Sequence, residues 1–546
     1  MSVQLETPAR LPVRRRPAAM LPALTGHAVR AFLRNPIAAF FTLAFPLAFL
    51  VIVATIVGNQ VAGGVPVVQF LVSPFAVFGV AQASFVLVAV DMATLRDNGA
   101  LLRLRCAPVP AWTVLVSRIG ASVIASATAV FLLTAVGLLA YDVQIFWHKV
   151  PAMLVTLLLG IACCAALGLA LASLARTALV AQTVAQGLLI TLAFISDVFI
   201  VGADLPRWLD LAGTVLPLKH FAQAMAATFD PAAGSGFAPA HLAVLLAWTL
   251  AGVVVAGARF SWQPHTDVTS PVVPVPRADT PRLNRLSDAS EHTRRSPLRL
   301  LSGQLRYALL GLRRDQLSVF FSVVFPTMLL ALFPTVFGNS RVHGMPMAQY
   351  LFAGMIAYTV AVAAYVDMPE AVVGARAAGV LKRLHGTPLP FRWYFAGRVC
   401  AALIVSLLAA ILLTVVGAVF LDVGLAAARV PALLLAIVAG SLCFAALGLA
   451  VAAMLPSARS ILAVTLGTLL PLCFVSEIFV VGEQPLPDWL TTAAAVFPLR
   501  HLLGAVLTAT DPASTGTGVA AGHVAVLAGW TVPALLVAWR RRDSLT

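Results

Sequence analysis

Ala165-Ala-Leu-Gly-Leu-Ala170 is repeated letter for letter, about 280 residues later, as Ala445-Ala-Leu-Gly-Leu-Ala450. Two other stretches recur at nearly the same interval. Ile195-Ser-Asp-Val-Phe-Ile-Val-Gly202 corresponds to Val475-Ser-Glu-Ile-Phe-Val-Val-Gly482, and Pro217-Leu-Lys-His220 corresponds to Pro498-Leu-Arg-His501. This interval is that of a whole domain, because solenoid proteins repeat every ~20–50 residues. The sequence therefore predicts two copies of one domain in tandem.

The composition indicates a membrane protein. The chain is 60% hydrophobic and 10% charged, whereas soluble domains contain about 25% charged residues. Apolar runs of roughly 20 residues recur, and each is long enough to cross about 30 Å of hydrocarbon as a helix. We predict six spans per half, at residues 37–58, 66–90, 119–140, 151–175, 178–201 and 239–258, and at residues 317–338, 348–366, 399–421, 430–455, 460–482 and 520–539.

Positive charge orients these spans. With the N-terminus in the cytoplasm, all 36 Lys and Arg residues fall on the cytoplasmic side except Lys149, Arg207, Lys219, Arg341, Arg429 and Arg500. Cytoplasmic loops are enriched in Lys and Arg, so the net charge of +15 reflects topology rather than a nucleic-acid partner. We predict an all-α, polytopic fold of twelve transmembrane helices, arranged as two parallel six-helix repeats with cytoplasmic N- and C-termini, in a bacterial plasma membrane.

A proline-rich segment, residues 261–297, separates the two copies. It contains too few apolar residues to order itself, so we predict a flexible cytoplasmic linker. The predicted domains are residues 1–260 and 298–546, joined by 261–297. Six spans return the chain to its starting side, so the two copies share one orientation.

The loop after the second span of each half has the pattern R-x-x-G-x-x-x-R-L-x-x-x-P-x-P. Its residues are Arg96, Gly99, Arg103, Leu104 and Pro108 in the first copy, and Arg376, Gly379, Arg383, Leu384 and Pro388 in the second. The Gly permits a tight reversal, a short helix follows, and the first Pro ends it. Leucines flank the arginine of this helix, Leu102 and Leu104 in one copy and Leu381 and Leu384 in the other. We expect the helix to dock on another protein; the alternative is a solvated loop whose arginines only set the topology.

This loop is similar to the cytoplasmic signature of the type 2 ABC exporter permeases, a group that includes daunorubicin-exporter-like membrane subunits. Two other regions agree. Basic amphipathic stretches at 23–35 and 298–315 resemble the interfacial helix of the family, and residues 196–217 and 476–498 resemble its external re-entrant segment. The resemblance covers both halves except the linker and the tails. It implies that the ten loop residues form two coupling helices that contact the ATPase.

The loops depart from the family at two positions. The family often has an acidic residue before the loop Gly and a Thr after it, whereas this chain has Asn98 and Ala100 in one copy and Ala378 and Val380 in the other. This leaves open an asymmetric contact with the ATPase or one that relies on Arg and Leu.

ATP hydrolysis is not expected on this chain. None of its lysines, Lys149, Lys219 and Lys382, follows a glycine, as a P-loop requires. The chain is thus predicted to be a permease that binds no cofactor, with ATP and Mg held by two copies of a separate ABC ATPase. The resemblance implies export of a hydrophobic or amphipathic substrate, such as a drug, a natural product or a lipid-linked glycan. The alternatives are an ion-coupled secondary transporter of twelve helices and a membrane enzyme or scaffold.

Asp197 and Glu477 lie at matching positions after the fifth spans. Ionisable side chains near a membrane span are costly unless they are paired or wetted, so these acids are candidates for an outer vestibule that favours cationic or polar substrates. The alternative is that they cap helices or pair with Lys219 and Arg500. A third set of acids, Asp91, Asp367 and Glu370, does not match between the copies and is interpreted as interfacial.

Histidines also match between the copies, as His220 with His501 and His241 with His523. A metal site is not predicted, because no ligand-spaced Cys or carboxylate cluster accompanies them. We interpret these histidines as packing or interface residues.

Overall fold

The computed structural model describes residues 17–57, 61–62, 64–106, 110–196, 198–199, 207–263, 297–337, 341–387, 389–455, 458–479, 487–512 and 516–541. Pro108, Pro388, Asp197 and most of the predicted linker lie outside these ranges. Within them, the only strands form two short antiparallel hairpins. Strands β1 (Val61–Ala62) and β2 (Val65–Pro66) form one, and β3 (Arg341–Val342) and β4 (Met345–Pro346) form the other.

The described part of the first copy contains ten α-helical segments, with the π-helical turns counted within them. They are α1 (Pro17–Leu33), α2 (Pro36–Thr55), α3 (Val68–Asp97), α4 (Ala100–Cys106), α5 (Ala111–Tyr141), α6 (Val150–Leu174), α7 (Ala178–Ile195), α8 (Arg207–Val215), α9 (Pro217–Phe229) and α10 (Pro239–Arg259).

The second copy has the same ten helices in the same order. They are α11 (Pro297–Arg314), α12 (Gln316–Pro334), α13 (Met347–Ala377), α14 (Val380–His385), α15 (Phe391–Phe420), α16 (Val430–Met454), α17 (Ala458–Val475), α18 (Asp488–Ala494), α19 (Pro498–Thr510) and α20 (Ala521–Arg540). Each helix of the first copy therefore has its counterpart ten helices later.

The prediction of an all-α fold with many spans is confirmed. Within the described ranges, eleven helices are long and apolar enough to cross a membrane, and α17, the counterpart of the 18-residue α7, is the twelfth predicted span. The pair α18–α19 bends by 90° where a re-entrant segment was predicted.

Some boundaries and elements differ from the prediction. Helix α3 continues to Asp97 rather than ending at residue 90, because its last turns still pack against α6 and α7. Helices α9 and α19 were not predicted, although each lies largely buried against the second and fourth spans of its own copy.

One helix lies at the centre of each copy. In α3 and α13, 89% of the most apolar window is buried, against 11–61% in the other spanning helices. Each central helix packs against the first, third and fourth spans of its copy and against α9 or α19. Gln69 of α3 donates to the carbonyls of Gln144 and Phe229 at 2.9 and 3.0 Å, and Gln349 of α13 makes the equivalent bonds. Since a buried helix must satisfy its polar groups within the protein, these bonds hold one end of each central helix in place.

The two copies meet through two reciprocal helix contacts. Helix α2 packs against α17, and α12 packs against α7, so the first span of each copy lies against the fifth span of the other. The interface thus has the pseudo-twofold arrangement expected of parallel repeats.

The repeated Ala-Ala-Leu-Gly-Leu-Ala motif allows close helix packing. A Cβ atom placed on Gly168 of α6 would lie 2.6 Å from the carbonyl oxygen of Phe85 in α3, and one on Gly448 of α16 would lie 3.0 Å from that of Ala364. Small residues let membrane helices approach to backbone contact. The motif is therefore repeated because the fourth span must touch the central helix directly.

Replacing Gly168 with Ala should destabilise the protein, even though Ala favours helix formation over Gly by about 1 kcal/mol. The added methyl group collides with a backbone oxygen that cannot move without shifting α3, and overpacking of this kind costs about 1–3 kcal/mol. Gly257→Ala is the matched control, because a Cβ there meets nothing within 4 Å. Thermal unfolding in detergent, followed by size-exclusion chromatography, should show a lower midpoint for Gly168→Ala alone. Equal midpoints for the two variants would contradict this packing.

Candidate coupling loops and central cavity

Each central helix ends at a glycine that turns the chain into a short loop helix. Gly99 and Gly379 both have φ of +69°, in the left-handed region that glycine adopts without steric cost. Their amides donate to the carbonyls of Arg96 and Arg376 at 3.0 Å. The loop helices α4 and α14 follow immediately, so the reversal and the short helix predicted from the sequence are both present.

Arg96 is 2% exposed and lies inside the protein. Its guanidinium donates to the carbonyls of Ala172 and Ala175 at 2.6 Å each, which are among the carbonyls that the end of α6 leaves without helical partners. Arg376 donates in the same way to the carbonyl of Leu455 at 2.7 Å, just after α16. These two arginines of the predicted coupling loop therefore position it by tying the central helix to the fourth span. The loop pattern did not reveal this, since it places both in a solvated segment.

The loop helices have a buried side and an exposed side. Leu101 and Leu381 are fully buried, so the expectation that Leu381 is available to a partner is wrong. Leu104 and Leu384 are half-buried, and Arg103 and Arg383 are exposed. Each loop helix thus presents an arginine, Arg103 or Arg383, to solvent beside a partly covered leucine.

The two loops are not equivalent. The carboxylate of Asp97 accepts from the amide of Ala178 at 2.6 Å, which fixes the loop to the start of α7. The matching position in the second copy is Ala377, which has no side chain able to make this bond. The second loop therefore lacks one of the attachments of the first.

At the opposite end of the bundle, Glu477 is 9% exposed and forms an ion pair with Arg500. His343 lies 3.4 Å from the same carboxylate. Pairing of Glu477 with Arg500 was the alternative to a vestibule role. Asp197 lies outside the described residues, and Lys219, its expected partner, pairs with Asp210.

The matching histidines form one pair within each copy, which the sequence did not predict. His220 and His241 lie 2.8 Å apart through their Nδ1 atoms, and His501 and His523 lie 2.9 Å apart. Within the described residues, no group of three or more His, Cys, Asp or Glu side chains is arranged to hold a metal ion. Each pair joins the helix before the sixth span to the sixth span itself.

A cavity of about 490 Å³ lies between the two copies, at the end that carries the loop helices. It is lined by matching parts of both copies: the starts of α2 and α12, the middles of α3 and α13, and the first turns of α7 and α17. Its volume is within the range of ligand pockets, about 300–1,000 Å³. Single π-helical turns border it at Phe40–Ala44, Gln82–Val86, Phe320–Val324 and Val362–Asp367, and such turns are frequent at functional sites.

Three acidic residues lie in this region, two of which the sequence analysis named and one of which it did not. Asp367 and Glu370, interpreted as interfacial from the sequence, line the cavity together with Asp315. Asp91 lies outside the cavity and pairs with Arg118 at 2.7 Å. A comparison of the copies could not identify the lining acids, because their counterparts are not acidic.

Phenylalanines join the copies beyond the cavity. Phe49 of α2 lies against Phe474 of α17 with ring centroids 4.4 Å apart, and Phe194 of α7 contacts Phe325 and Phe333 of α12 at 6.1 and 5.8 Å. Aromatic pairs of this kind contribute about 0.5–1.5 kcal/mol each. They close the interface on the side away from the loop helices.

The positions of two loop arginines predict different effects of the same substitution. Arg96→Gln should lower the thermal midpoint of the protein by several degrees, because the end of α6 loses charge-assisted donors worth about 1.5–3 kcal/mol each. Arg103→Gln should leave the midpoint unchanged, since its side chain is exposed. Differential scanning fluorimetry of both variants checks this, and an equal loss in the two would contradict a positioning role confined to Arg96.

Comparison with known proteins agrees with this architecture. The model of the ABC-2 type transporter family matches the chain twice, over residues 21–229 and 304–510. One match falls in each copy, and together they cover well over half of the chain. A search of curated proteins finds no match. The chain belongs to the ABC-2 type transporter family and carries two membrane domains of that family in tandem.

Proposed function

We propose that this multi-pass membrane protein is the complete membrane part of an ATP-driven exporter, with ATP hydrolysis on two copies of a separate ABC ATPase. The pair of loop helices carries the proposal. Both lie at the same end of the bundle, each follows a central helix, and each exposes an arginine, Arg103 or Arg383. Two docking helices at matching positions fit a partner that acts as a dimer.

The attachment of the loop helices provides a mechanical route to the cavity. Leu101 anchors α4 in the core, and Arg96 ties the end of α3 to α6. A push on α4 is therefore transmitted to α3, which borders the cavity at Gln82, about 21 Å farther along the helix at 1.5 Å per residue. ATP binding would shift the bundle only if the ATPase dimer binds its two states with different free energies.

The proposed substrate is hydrophobic or amphipathic, such as a drug, a natural product or a lipid-linked glycan. Its support is the mixed lining of the cavity, where Phe41, Phe321 and Leu466 stand beside amides and acids. The aromatic contacts beyond the cavity separate it from the far end, as an alternating-access exporter requires before ATP binds. The charge distribution in the sequence supports a bacterial plasma membrane with the loop helices in the cytoplasm.

One observation favours the second candidate, an ion-coupled secondary transporter. Asp367 and Glu370 lie inside the cavity, and acids within membrane spans mark ion and substrate pathways. This candidate does not account for the two loop helices, and it predicts transport without a partner ATPase.

Charge reversal on the loop helices tests the proposal. We expect an ATPase to co-purify with the tagged protein from its native host, at two copies per chain by native mass spectrometry. Arg103→Glu combined with Arg383→Glu should abolish this capture, because the exposed cations would become anions at the contact.

The matched control is Arg207→Glu combined with Arg341→Glu, which reverses one exposed arginine per copy at the opposite end of the bundle. It should retain the ATPase. Absence of an ATPase from the wild-type sample, or its retention by the loop variant, would argue against the exporter and in favour of the ion-coupled transporter.

A further inference from the structure

The described residues that line the cavity between the copies are acidic on one side only. They include Asp315, Asp367 and Glu370, all from the second copy. The matching positions of the first copy are Asn35, Leu87 and Val90. No Lys or Arg is among these described lining residues. A fold built from two similar copies thus forms a cavity whose acidic side belongs to one copy.

Within the described residues, no basic side chain neutralises these acids by an ion pair. Asp367 accepts a hydrogen bond from the hydroxyl of Ser322, and Asp315 accepts from the amide and hydroxyl of Ser318 at 3.2 and 2.9 Å. These neutral donors orient the carboxyl groups and are not cationic partners.

Arg398 of α15 forms no ion pair with these acids within the described residues. It lines a smaller neighbouring cavity of about 180 Å³ together with Asp315 and Asp367, and its guanidinium stacks over Tyr307 and Tyr394 at 5.3 and 5.4 Å. In the first copy, the matching Arg118 has an acidic partner, Asp91, at 2.7 Å. The second copy has Ala371 at the position that matches Asp91. The acids of the second copy line the cavity instead.

The first copy supplies unpaired polar groups to the same cavity. Gln82 and Gln186 are 5% and 6% exposed. The side-chain nitrogen of Gln82 donates to the side-chain oxygen of Gln186 at 3.1 Å. This bond leaves the carbonyl oxygen of Gln82 and the amide nitrogen of Gln186 without partners, and the hydroxyl of Thr42 also has none. A buried polar group without a partner is destabilising, so these groups favour a ligand that hydrogen-bonds to them.

We propose that this cavity binds an amphipathic organic cation, whose charged group pairs with Asp367 and Glu370. The amides of Gln82 and Gln186 hydrogen-bond to its polar atoms, and its apolar body lies against Phe41 and Phe321. This assignment rests on the proposed function, because it names the substrate class of the same transporter. A cation removes the cost of enclosing carboxylates in the membrane, which an anionic or neutral substrate of equal size does not.

Two probes of nearly the same shape and opposite charge test the assignment. Tetraphenylphosphonium and tetraphenylborate are offered separately to the purified full-length chain in detergent, and the binding of each radiolabelled ion is measured by equilibrium dialysis. We expect saturable binding of tetraphenylphosphonium and no saturable binding of tetraphenylborate. Asp367→Asn combined with Glu370→Gln should weaken binding at least about tenfold.

Asp488→Asn is the control, since it also replaces a carboxyl group by an amide, but on the exposed α18, far from the cavity. It should bind as the wild type does. Failure of the wild type to bind the cation, equal saturable binding of the anion, or full binding by the double variant would each overturn the assignment. The preference of the wild-type protein for the cation is measured without any variant, so it does not depend on whether a variant folds. Capture of the ATPase by the double variant tests the proposed function separately.

Discussion

The central helices of this protein have almost no contact with lipid or water, and that burial governs the rest of the structure. Gln69 and Arg96 lie about 40 Å apart along α3, at 1.5 Å per residue. Each donates to carbonyls at or beyond the C-terminal ends of other helices, of α9 and of α6 respectively. One set of bonds thus satisfies the central helix and its neighbours together. Because α13 has the same bonds through Gln349 and Arg376, each central helix is held at both ends while its middle borders the cavity.

Duplication made much of this fold predictable. Matching apolar runs predicted the spans, and the shared Gly99 and Gly379 predicted the reversal before each loop helix. The surroundings of individual side chains were less predictable. The charge of Arg96 and a nearby glycine indicate a residue in an exposed loop. The carbonyls that Arg96 binds lie more than 70 residues farther along the chain, so the local sequence does not reveal them. Helices α9 and α19 were missed because they are too short and too polar to resemble a span.

The candidate site was harder to predict than the fold, for a related reason. Comparing the copies draws attention to what they share, whereas the cavity differs most at positions that they do not share. Asp367 corresponds to Leu87 in the first copy, and Gln82 corresponds to Val362 in the second. These positions therefore form no motif shared by the copies. Fusion of the copies makes such differences possible, since each substitution acts on one side of the cavity only. Asp97 and Ala377 show the same divergence at the loops.

The central claim is that ATP binding to the partner ATPase, transmitted through the loop helices, opens the far end of the interface between the copies. Spin labels on Val61→Cys and Arg341→Cys, which occupy matching exposed hairpins at that end, report this directly once the exposed Cys106 is replaced by Ser. Double electron–electron resonance on the complex with its ATPase should show a longer distance with ATP than without nucleotide. A distance distribution that ATP leaves unchanged, in a complex that hydrolyses ATP, would contradict the account.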